Sequence, residues 1–314
     1  MHHFPGLKKT VSATGKIVLQ RRNFLKLAVM AVFLDPVDLF AALPVIHADK
    51  KKKRYHQIIL RPVTGSGFKE ELLDDVHIKD YLSKIRHPDV PHKNDIFLDS
   101  KQNELLHSVV LRLQRMRRTV GYGNFCVLGF DEALKIAKDY SSVGRFPAGE
   151  LDFLDMIFYR DAREYGFYGK KQTVKLTRII QRRGIDKIPH SGNYLFAGDS
   201  QVKYEEIKRK LGDNAVLTSG IRGVVKQFYL FLAKALRNGG NISLASRSLA
   251  PPGYSYHATG DFDIGQKGFG VANFSERFTH TPVFKKLAEQ GFVKYRYKRD
   301  NMLGVRYEPW HIKV

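Results

Sequence analysis

The sequence predicts an α+β protein, in which a mostly helical region precedes a C-terminal part that mixes strands and helices. Between Asn103 and Met116, apolar residues recur every three or four positions, which is the period of a helix buried on one face. Phe292–Tyr297 alternates apolar and polar residues as a half-buried strand does. The run Ser191–Phe196, with Gly192 near its start, predicts another strand.

The region before residue 189 is predicted to be mostly helical. Residues 55–100 are interrupted by Pro and Gly, so we expect loops and one short helix near Glu70–Ile85. The expected elements after it are a helix from Asn103, a short strand at Phe125–Leu128, and helices over Asp131–Asp139, Ala148–Tyr165 and Thr173–Arg183. Arginines beside the first apolar stripe, such as Arg112, and acidic residues such as Glu150 are predicted to face solvent.

In the C-terminal part, the predicted helices alternate with predicted strands. Helices are expected over Tyr204–Leu211 and after Arg222 through Leu236. Another begins at Thr281-Pro282, since Thr caps a helix and Pro suits its first turn. Phe292–Tyr297 and Val305–Tyr307 are expected to pair as a hairpin, which delivers Glu308 to a cleft.

Composition sets the broad class of the protein. The 314 residues, 43% hydrophobic with 21 Phe and 15 Tyr, suffice for one large or two modest folded domains and exclude a disordered chain. Cys126 is the single cysteine, which excludes an intramolecular disulfide and a Cys-based zinc finger. Any metal must therefore be held by His and carboxylate side chains.

The N-terminal segment predicts export. Gln20–Lys26 resembles the twin-arginine consensus Arg-Arg-x-Phe-Leu-Lys, and the apolar run Leu27–Leu34 follows it. The alternative is an uncleaved membrane anchor, but Asp35 and Pro36 end the run far short of the roughly 20 residues that span a bilayer. We therefore predict a signal peptide over residues 1–48, cleaved near Ala48, and a periplasmic or otherwise exported protein.

The net charge is strongly positive. It is +22 for the whole chain, and removal of residues 1–48, with their six Lys or Arg and two Asp, would leave about +18. A basic surface attracts polyanions. Because export makes nucleic acid an unlikely partner, non-specific contact with anionic wall or membrane material is expected, and Lys50–Arg54 is predicted to be a solvated arm.

Two short segments near the C-terminus contain the residue types of a catalytic zinc site. The first, residues 255–263, contains His257 and the two aspartates Asp261 and Asp263, and the second, residues 308–311, contains Glu308 and His311. Hydrolytic zinc takes N and O ligands at three protein positions and leaves a fourth open for water. The separate glutamate suits the role of base.

These segments resemble the VanY-type D-alanyl-D-alanine carboxypeptidases, zinc peptidases of peptidoglycan. That family's signature runs Ser-x-His-x-x-Gly-x-Ala-x-Asp and closes with Glu-x-Trp-His. Three residues match its first half and three match the closing motif: Ser255, His257, Gly260, Glu308, Trp310 and His311. The resemblance implies a small antiparallel sheet flanked by helices, zinc bound by His257, an aspartate and His311, and Glu308 as the catalytic base.

The aspartate departs from the family pattern. The family places it seven positions after the histidine, whereas Asp261 and Asp263 follow His257 by four and six. Asp263 is the predicted ligand because Asp263-Ile264 resembles the family's Asp-Ile ending with one residue deleted before it. On a strand both aspartates would share one face, so Asp261 stays an alternative ligand.

An upstream segment extends the resemblance. Thr218–Arg222, followed by Gln227, is similar to the family's Ser-Gly-Tyr-Arg…Gln segment, with Ile221 in place of Tyr. The resemblance implies that Arg222 faces the substrate's terminal carboxylate, which suits a guanidinium that donates two parallel hydrogen bonds. Without the downstream motifs, Arg222 would be read as an exposed arginine at a helix start. The predicted substrate-binding residues are Arg222, Ser255, Gln227 and Trp310.

Taken together, the resemblance implies a zinc-dependent D,D-carboxypeptidase that acts on peptidoglycan stem peptides ending in D-Ala-D-Ala. The predicted organisation is a signal peptide (1–48), a basic arm with a mostly helical region (49–188) and a catalytic domain (189–314). The alternatives are a peptidoglycan endopeptidase or dipeptidase with the same zinc site, and a non-catalytic wall-binding protein. Retention of Glu308 argues against the last, because a binding protein needs no base.

Overall fold

The structure, a computed structural model, describes residues 75–314, with side chains described from residue 80 onward. The predicted signal peptide, the basic arm and most of the lead-in lie outside the described residues. Among residues 75–314, no helix has the length and apolar character needed to cross a membrane. Helices and small antiparallel sheets alternate as the sequence predicts, so the α+β assignment is confirmed.

The helical region precedes two small sheets. The helices are α1 (Asp75–Arg86), α2 (Ser100–Val120), α3 (Tyr122–Cys126), α4 (Phe130–Asp139), α5 (Ala148–Tyr159), α6 (Asp199–Leu211), α7 (Val224–Arg237), α8 (Ile242–Ser248) and α9 (Pro282–Glu289). The strands are β1 (Ile185–Ile188), β2 (Asn193–Phe196), β3 (Ala215–Ser219), β4 (Phe262–Gln266) and β5 (His311–Ile312).

Helix α2 packs against α5 and α7 and so joins the helical region to the C-terminal part. Asp99 caps it: its side chain accepts a bond from Gln102 N at 2.8 Å, and the Gln102 side chain accepts one from Asp99 N at 3.2 Å. The predicted apolar stripe is confirmed as core. Its buried members are Leu106, Val109, Val110, Leu113 and Met116.

Two charged residues of this region are buried, contrary to the prediction that they face solvent. Arg112 Nε donates to Glu150 Oε2 at 2.6 Å, and Arg112 Nη2 donates to Glu150 Oε1 at 3.0 Å. The guanidinium also donates to the carbonyl of Gly144 at 2.7 Å. A bidentate ion pair offsets the free-energy cost of removing both charges from water. Composition and spacing do not reveal that these two residues pair.

Three predicted elements of the helical region differ from the structure. The strand predicted at Phe125–Leu128 is absent, because the first half of that apolar run, Phe125 and Cys126, ends helix α3. The helix predicted over Thr173–Arg183 is also absent, and its last residues enter a 3₁₀ turn. The helix predicted over Ala148–Tyr165 ends at Tyr159, before a separate 3₁₀ turn. Short apolar runs do not distinguish strands from buried helical turns.

The sheet that matters for the site has the order β3-β4-β5 and is antiparallel. Asp263 in the central strand lies opposite Ser219 of β3 and His311 of β5. Helices α6 and α9 cover the sheet, and its core includes Leu217, Phe262, Ile264 and Trp310. The capped start of α9 at Thr281-Pro282 is confirmed, since the Thr281 hydroxyl accepts a bond from Phe284 N at 3.1 Å.

The predicted hairpin of Phe292–Tyr297 with Val305–Tyr307 is not formed. Its two arms lie side by side, with Glu308 N donating to Tyr297 O at 3.3 Å, but neither arm is a strand. The reason lies in two consecutive side chains: Arg296 pairs with Asp261 at 2.7 Å, and the Tyr297 ring lies 5.6 Å from His311. A strand would point them to opposite faces, whereas both reach the same site.

The loop between these arms docks on the helical region. The Tyr81 hydroxyl of α1 donates to Asn301 O at 3.0 Å and accepts from Gly304 N at 2.7 Å. Tyr168 N donates to Leu303 O at 2.9 Å. Gly304 has a φ of 79°, and a Cβ atom there would lie 1.9 Å from Gly166 O, so only glycine fits this approach.

We expect Tyr81→Phe to loosen this loop without unfolding the protein. The substitution removes two hydrogen bonds, each of which contributes about 0.5–1.5 kcal/mol. Hydrogen exchange at the Leu303 and Gly304 amides should therefore become about 10-fold faster or more. Tyr140→Phe is the control, since Tyr140 is 52% exposed. Equal exchange rates in the two variants would show that Tyr81 does not hold the loop.

Candidate metal centre

The central strand β4 places Asp263 at the middle of the site. The Asp263 side chain is fully buried, and its cross-strand partner His311 is 4% exposed. The segment before β5 includes Pro309, which favours an extended conformation at Glu308 and prevents a helix. His311 N closes this turn by donating to Glu308 O at 3.3 Å. Strand pairing therefore brings a residue of each motif into contact.

His257 lies in a 3₁₀ turn, Tyr256–Ala258, that contacts the segment directly after β3. Its Nδ1 lies 2.8 Å from Gly220 O, and because a carbonyl only accepts, Nδ1 is the donor. The lone pair of the neutral ring is then on Nε2, which lies 3.2 Å from Asp263 Oδ1. The Gly220 carbonyl thus selects the tautomer that can bind a cation toward Asp263.

His257, Asp263 and His311 form a compact set of ligand atoms. One atom from each of the three residues lies within 4.8 Å of the other two, and His311 Nδ1 is 3.3 Å from Asp263 Oδ1. These approaches do not have hydrogen-bond geometry, so Asp263 Oδ1 and His311 Nδ1 are buried without a hydrogen-bond partner among the described residues. Buried acceptor atoms that converge without a donor fit a bound cation.

The charge states of His257 and Asp263 suit the same conclusion. Burial, followed by the charge of Arg222, lowers the pKa of His257, which keeps it neutral. Although burial opposes it, the positive charge of Arg222 holds the pKa of Asp263 well below its usual range. His311 differs: against the effect of burial, Asp261 and Asp263 raise its pKa to about 9. A metal ion at Nδ1 would replace that proton.

Glu308 lies beside this set and faces a cavity. Its Oε2 is 3.7 Å from His311 Nδ1, and its side chain is 13% exposed. Burial raises the pKa of Glu308 to about 7, within the range that suits a group exchanging protons near neutral pH. The cavity is lined by ten residues, among them Arg222, Ser255, His257, Tyr297, Glu308 and His311.

Arg222 lines the cavity, but it also contacts a predicted metal ligand. Its Nη2 donates to Asp263 Oδ2 at 2.5 Å, and its Nε donates to Ser219 Oγ at 2.9 Å. Nη1 makes no hydrogen bond to any residue within 75–314. Arg222 therefore fixes Asp263, and its side chain also lines the cavity.

Of the other predicted substrate-binding residues, Ser255 lines the cavity, whereas Gln227 and Trp310 do not. Gln227 Nε2 donates to Arg222 O at 2.7 Å, and its Oε1 accepts from Gly253 N at 2.8 Å, so it holds the backbone beneath the site. The structure places Trp310, predicted to bind substrate, away from the cavity. Trp310 packs in the sheet core, with its ring 6.0 Å from that of Phe274.

The cavity also includes residues that sequence reasoning did not single out. Tyr256 and Tyr297 provide aromatic surface, and Leu249, Ala250 and Val305 provide apolar surface. The sequence places Tyr297 in a predicted strand, and no spacing marks it as part of a site. The position of Tyr256 between Ser255 and His257 was the one available signal.

Comparison with known proteins agrees with this arrangement at the level of the family. Residues 202–314 match the VanY family, described as D-alanyl-D-alanine carboxypeptidase. This part of the chain is therefore a VanY-family domain, and the resemblance based on the motifs is confirmed. At that level it is a peptidoglycan carboxypeptidase domain. No curated protein matches the chain in sequence.

Three solved structures show distant similarity. The D,D-pentapeptidase VanY from a VanB-type resistance cassette, in complex with Zn(II), is 20% identical over 47% of this chain and 86% of its own, with a TM-score of 0.36. VanYB in complex with D-alanine-D-alanine is 21% identical over 46% and 82%, with a TM-score of 0.35. The LdcB LD-carboxypeptidase is 23% identical over 41% and 62%, with a TM-score of 0.32.

Proposed function

We propose that the protein is a zinc-dependent D,D-carboxypeptidase that removes the C-terminal D-alanine from peptidoglycan stem peptides. The observation that supports this most is the convergence of His257, Asp263 and His311 beside Glu308, where Asp263 Oδ1 and His311 Nδ1 are buried without a hydrogen-bond partner among residues 75–314. Two imidazoles and one carboxylate are a ligand set that suits zinc. The membership of residues 202–314 in a carboxypeptidase family agrees with it.

In this proposal His257, Asp263 and His311 hold the metal. When bound, zinc supplies Lewis acidity, which activates water and polarises a carbonyl group. Asp263 is preferred to Asp261 as the ligand, because Asp263 Oδ1 has no hydrogen-bond partner among the described residues. Arg222 fixes the other oxygen of Asp263 and so limits the rotation of that carboxylate.

Glu308 would act as the base and then as the acid. Its carboxylate would take a proton from the attacking water at the penultimate peptide carbonyl and return that proton to the leaving amine of D-alanine. A pKa raised to about 7 favours both transfers, since the group can accept and release a proton near neutral pH. Positioned at the cavity wall, it needs no large movement to reach a substrate.

Arg222 would favour removal of a terminal residue over internal cleavage. Its side chain, which lines the cavity, can pair with the terminal carboxylate of a peptide there. Ser255 would add a hydroxyl group to the same wall. Gln227 and Trp310 would act indirectly, through the backbone beneath Arg222 and through the core beneath β5.

The domain organisation and the export route are two further parts of this proposal. The division into a helical region, 49–188, and a catalytic domain, 189–314, places every cavity-lining residue in the second part. Export through a twin-arginine signal would bring the protein to peptidoglycan, where its basic surface would contact anionic wall or membrane material.

The test is release of free D-alanine from a pentapeptide ending in D-Ala-D-Ala by the full-length protein. We expect release that stops with a chelator and returns with added zinc. The same pentapeptide with an amidated C-terminus serves as the comparison, because it offers no carboxylate to Arg222. Cleavage of the amidated peptide at an equal rate would favour an endopeptidase, and absence of any cleavage would contradict the proposed activity.

A further inference from the structure

Asp261 is the second aspartate of the motif, and its carboxylate is surrounded by donors. It is 3% exposed. Arg296 donates to both of its oxygens, from Nε at 2.7 Å and from Nη2 at 3.1 Å. Val314 N donates to Oδ1 at 3.0 Å, and His311 Nε2 lies 2.8 Å from Oδ2. Asp261 therefore has both oxygens occupied, unlike Asp263.

The contact between Asp261 and His311 determines how His311 presents its ring. A carboxylate in an ion pair with arginine is ionised and only accepts, so Nε2 of His311 is the donor. The other ring nitrogen, Nδ1, points away from Asp261 and lies 3.3 Å from Asp263 Oδ1. Because the two nitrogens face different sides, Asp261 and the cluster of His257 and Asp263 are separated by the imidazole.

We propose that Asp261 is a positioning residue for the metal centre: it holds His311 as the Nε2–H tautomer and thereby directs the Nδ1 lone pair toward the metal. This inference rests on the proposed metal site. Arg296 completes the arrangement by fixing Asp261 from the other side, and it also lies over the Tyr256 ring, 4.0 Å from its centroid. The same tyrosine lines the cavity, so the network joins His311 to the cavity wall.

The two histidines are oriented by different kinds of hydrogen-bond acceptor. His257 is oriented by a backbone carbonyl, Gly220 O, and His311 by a side chain, Asp261. A carboxylate partner also raises the basicity of the imidazole it orients, and loss of such a partner costs about 10–100-fold in metal affinity. Of these two histidines, only His311 has a carboxylate as its orienting partner. Replacement of Asp261 therefore tests the orientation of one metal ligand.

The test is the zinc dissociation constant of the full-length protein, measured by competition with a chromophoric chelator. We expect Asp261→Asn to weaken zinc binding by about 10–100-fold while binding stays stoichiometric. Asp263→Asn, which removes a ligand, should weaken binding further. Unchanged affinity in Asp261→Asn would overturn the inference. So would a loss equal to that of Asp263→Asn, because Asp261 would then be a ligand.

Asp95→Asn is the matched control for loss of a buried, arginine-paired carboxylate. Arg247 donates to both oxygens of Asp95, at 2.6 and 2.9 Å, and the Asp95 side chain is 1% exposed. It takes no part in the cluster, so this variant should lose stability and keep its zinc affinity. Wild-type protein that binds no zinc would overturn the proposed function itself, which separates that failure from failure of the Asp261 inference.

A measurement on the unaltered protein keeps the inference testable if the variant does not fold. With ¹⁵N-labelled histidine in the zinc-loaded protein, His311 should show a protonated Nε2, identified by its absence in His311→Gln. A signal from a protonated Nδ1 at His311 would overturn the inference.

Discussion

Replacement of Glu308 by glutamine is expected to lower kcat for D-alanine release by about 10²–10⁴-fold, the range that a positioned acid–base group contributes. Glutamine has nearly the same shape but cannot take a proton from water. Because Glu308 is not one of the three clustered ligands, Glu308→Gln should keep its metal content. The expected signature is therefore a metal-loaded, folded and nearly inactive protein.

Glu289→Gln provides the control, because Glu289 is an exposed carboxylate at the end of α9. Measurement of kcat and KM separately, together with zinc content, distinguishes the possible causes. A loss of zinc with the loss of activity would place Glu308 among the ligands. Activity close to that of the unaltered protein would show that Glu308 is not the base.

The second large effect is expected from Gly220→Ala, at the turn after β3. A Cβ atom at this position would lie 2.1 Å from Tyr194 O, a backbone atom that already accepts a bond from Ile221 N at 2.8 Å. Forcing atoms into a packed site costs about 1–3 kcal/mol and occasionally more. The turn would have to shift, and the Gly220 carbonyl that orients His257 would shift with it. We expect lower stability and weaker zinc binding together.

The control for this substitution is Gly184→Ala, since a Cβ atom at Gly184 meets nothing within 4 Å. Thermal unfolding should show a lower Tm for Gly220→Ala alone, by roughly 2–4 °C for each kcal/mol in a chain of this size class. Zinc titration of the folded protein then reports on the site. If Gly220→Ala matches Gly184→Ala in both measurements, the close approach of Gly220 to Tyr194 has no role in stability or in zinc binding.

The motif residues show how much of the site could be predicted. His257, Asp263, Glu308 and His311 were marked by type and spacing, and the structure brings them together. Predictions based on local sequence signals are also confirmed, as at Thr281-Pro282, where the capping threonine and the proline both act within one turn of the helix. Such features depend on neighbours in sequence, which is why one chain suffices to see them.

Features that depend on distant partners could not be predicted. Phe292–Tyr297 alternates like a strand, but contacts with Asp261 and His311 draw adjacent side chains to one site. Arg112 was expected in solvent, and a glutamate 38 residues away makes its burial favourable. Likewise, the choice between Asp261 and Asp263 requires knowing which nitrogen of His311 each one faces, and spacing along a strand does not contain that information.

The register of β4 with β5 has a consequence for how the protein is made. Asp263 and His311 are cross-strand neighbours, yet they are far apart in the chain, and β5 has only two paired residues. A growing chain exposes His257 and Asp263 well before His311, and two ligands hold a divalent ion poorly. Because a complete metal site forms only with the fold, tight metal binding would report that β5 has paired with β4.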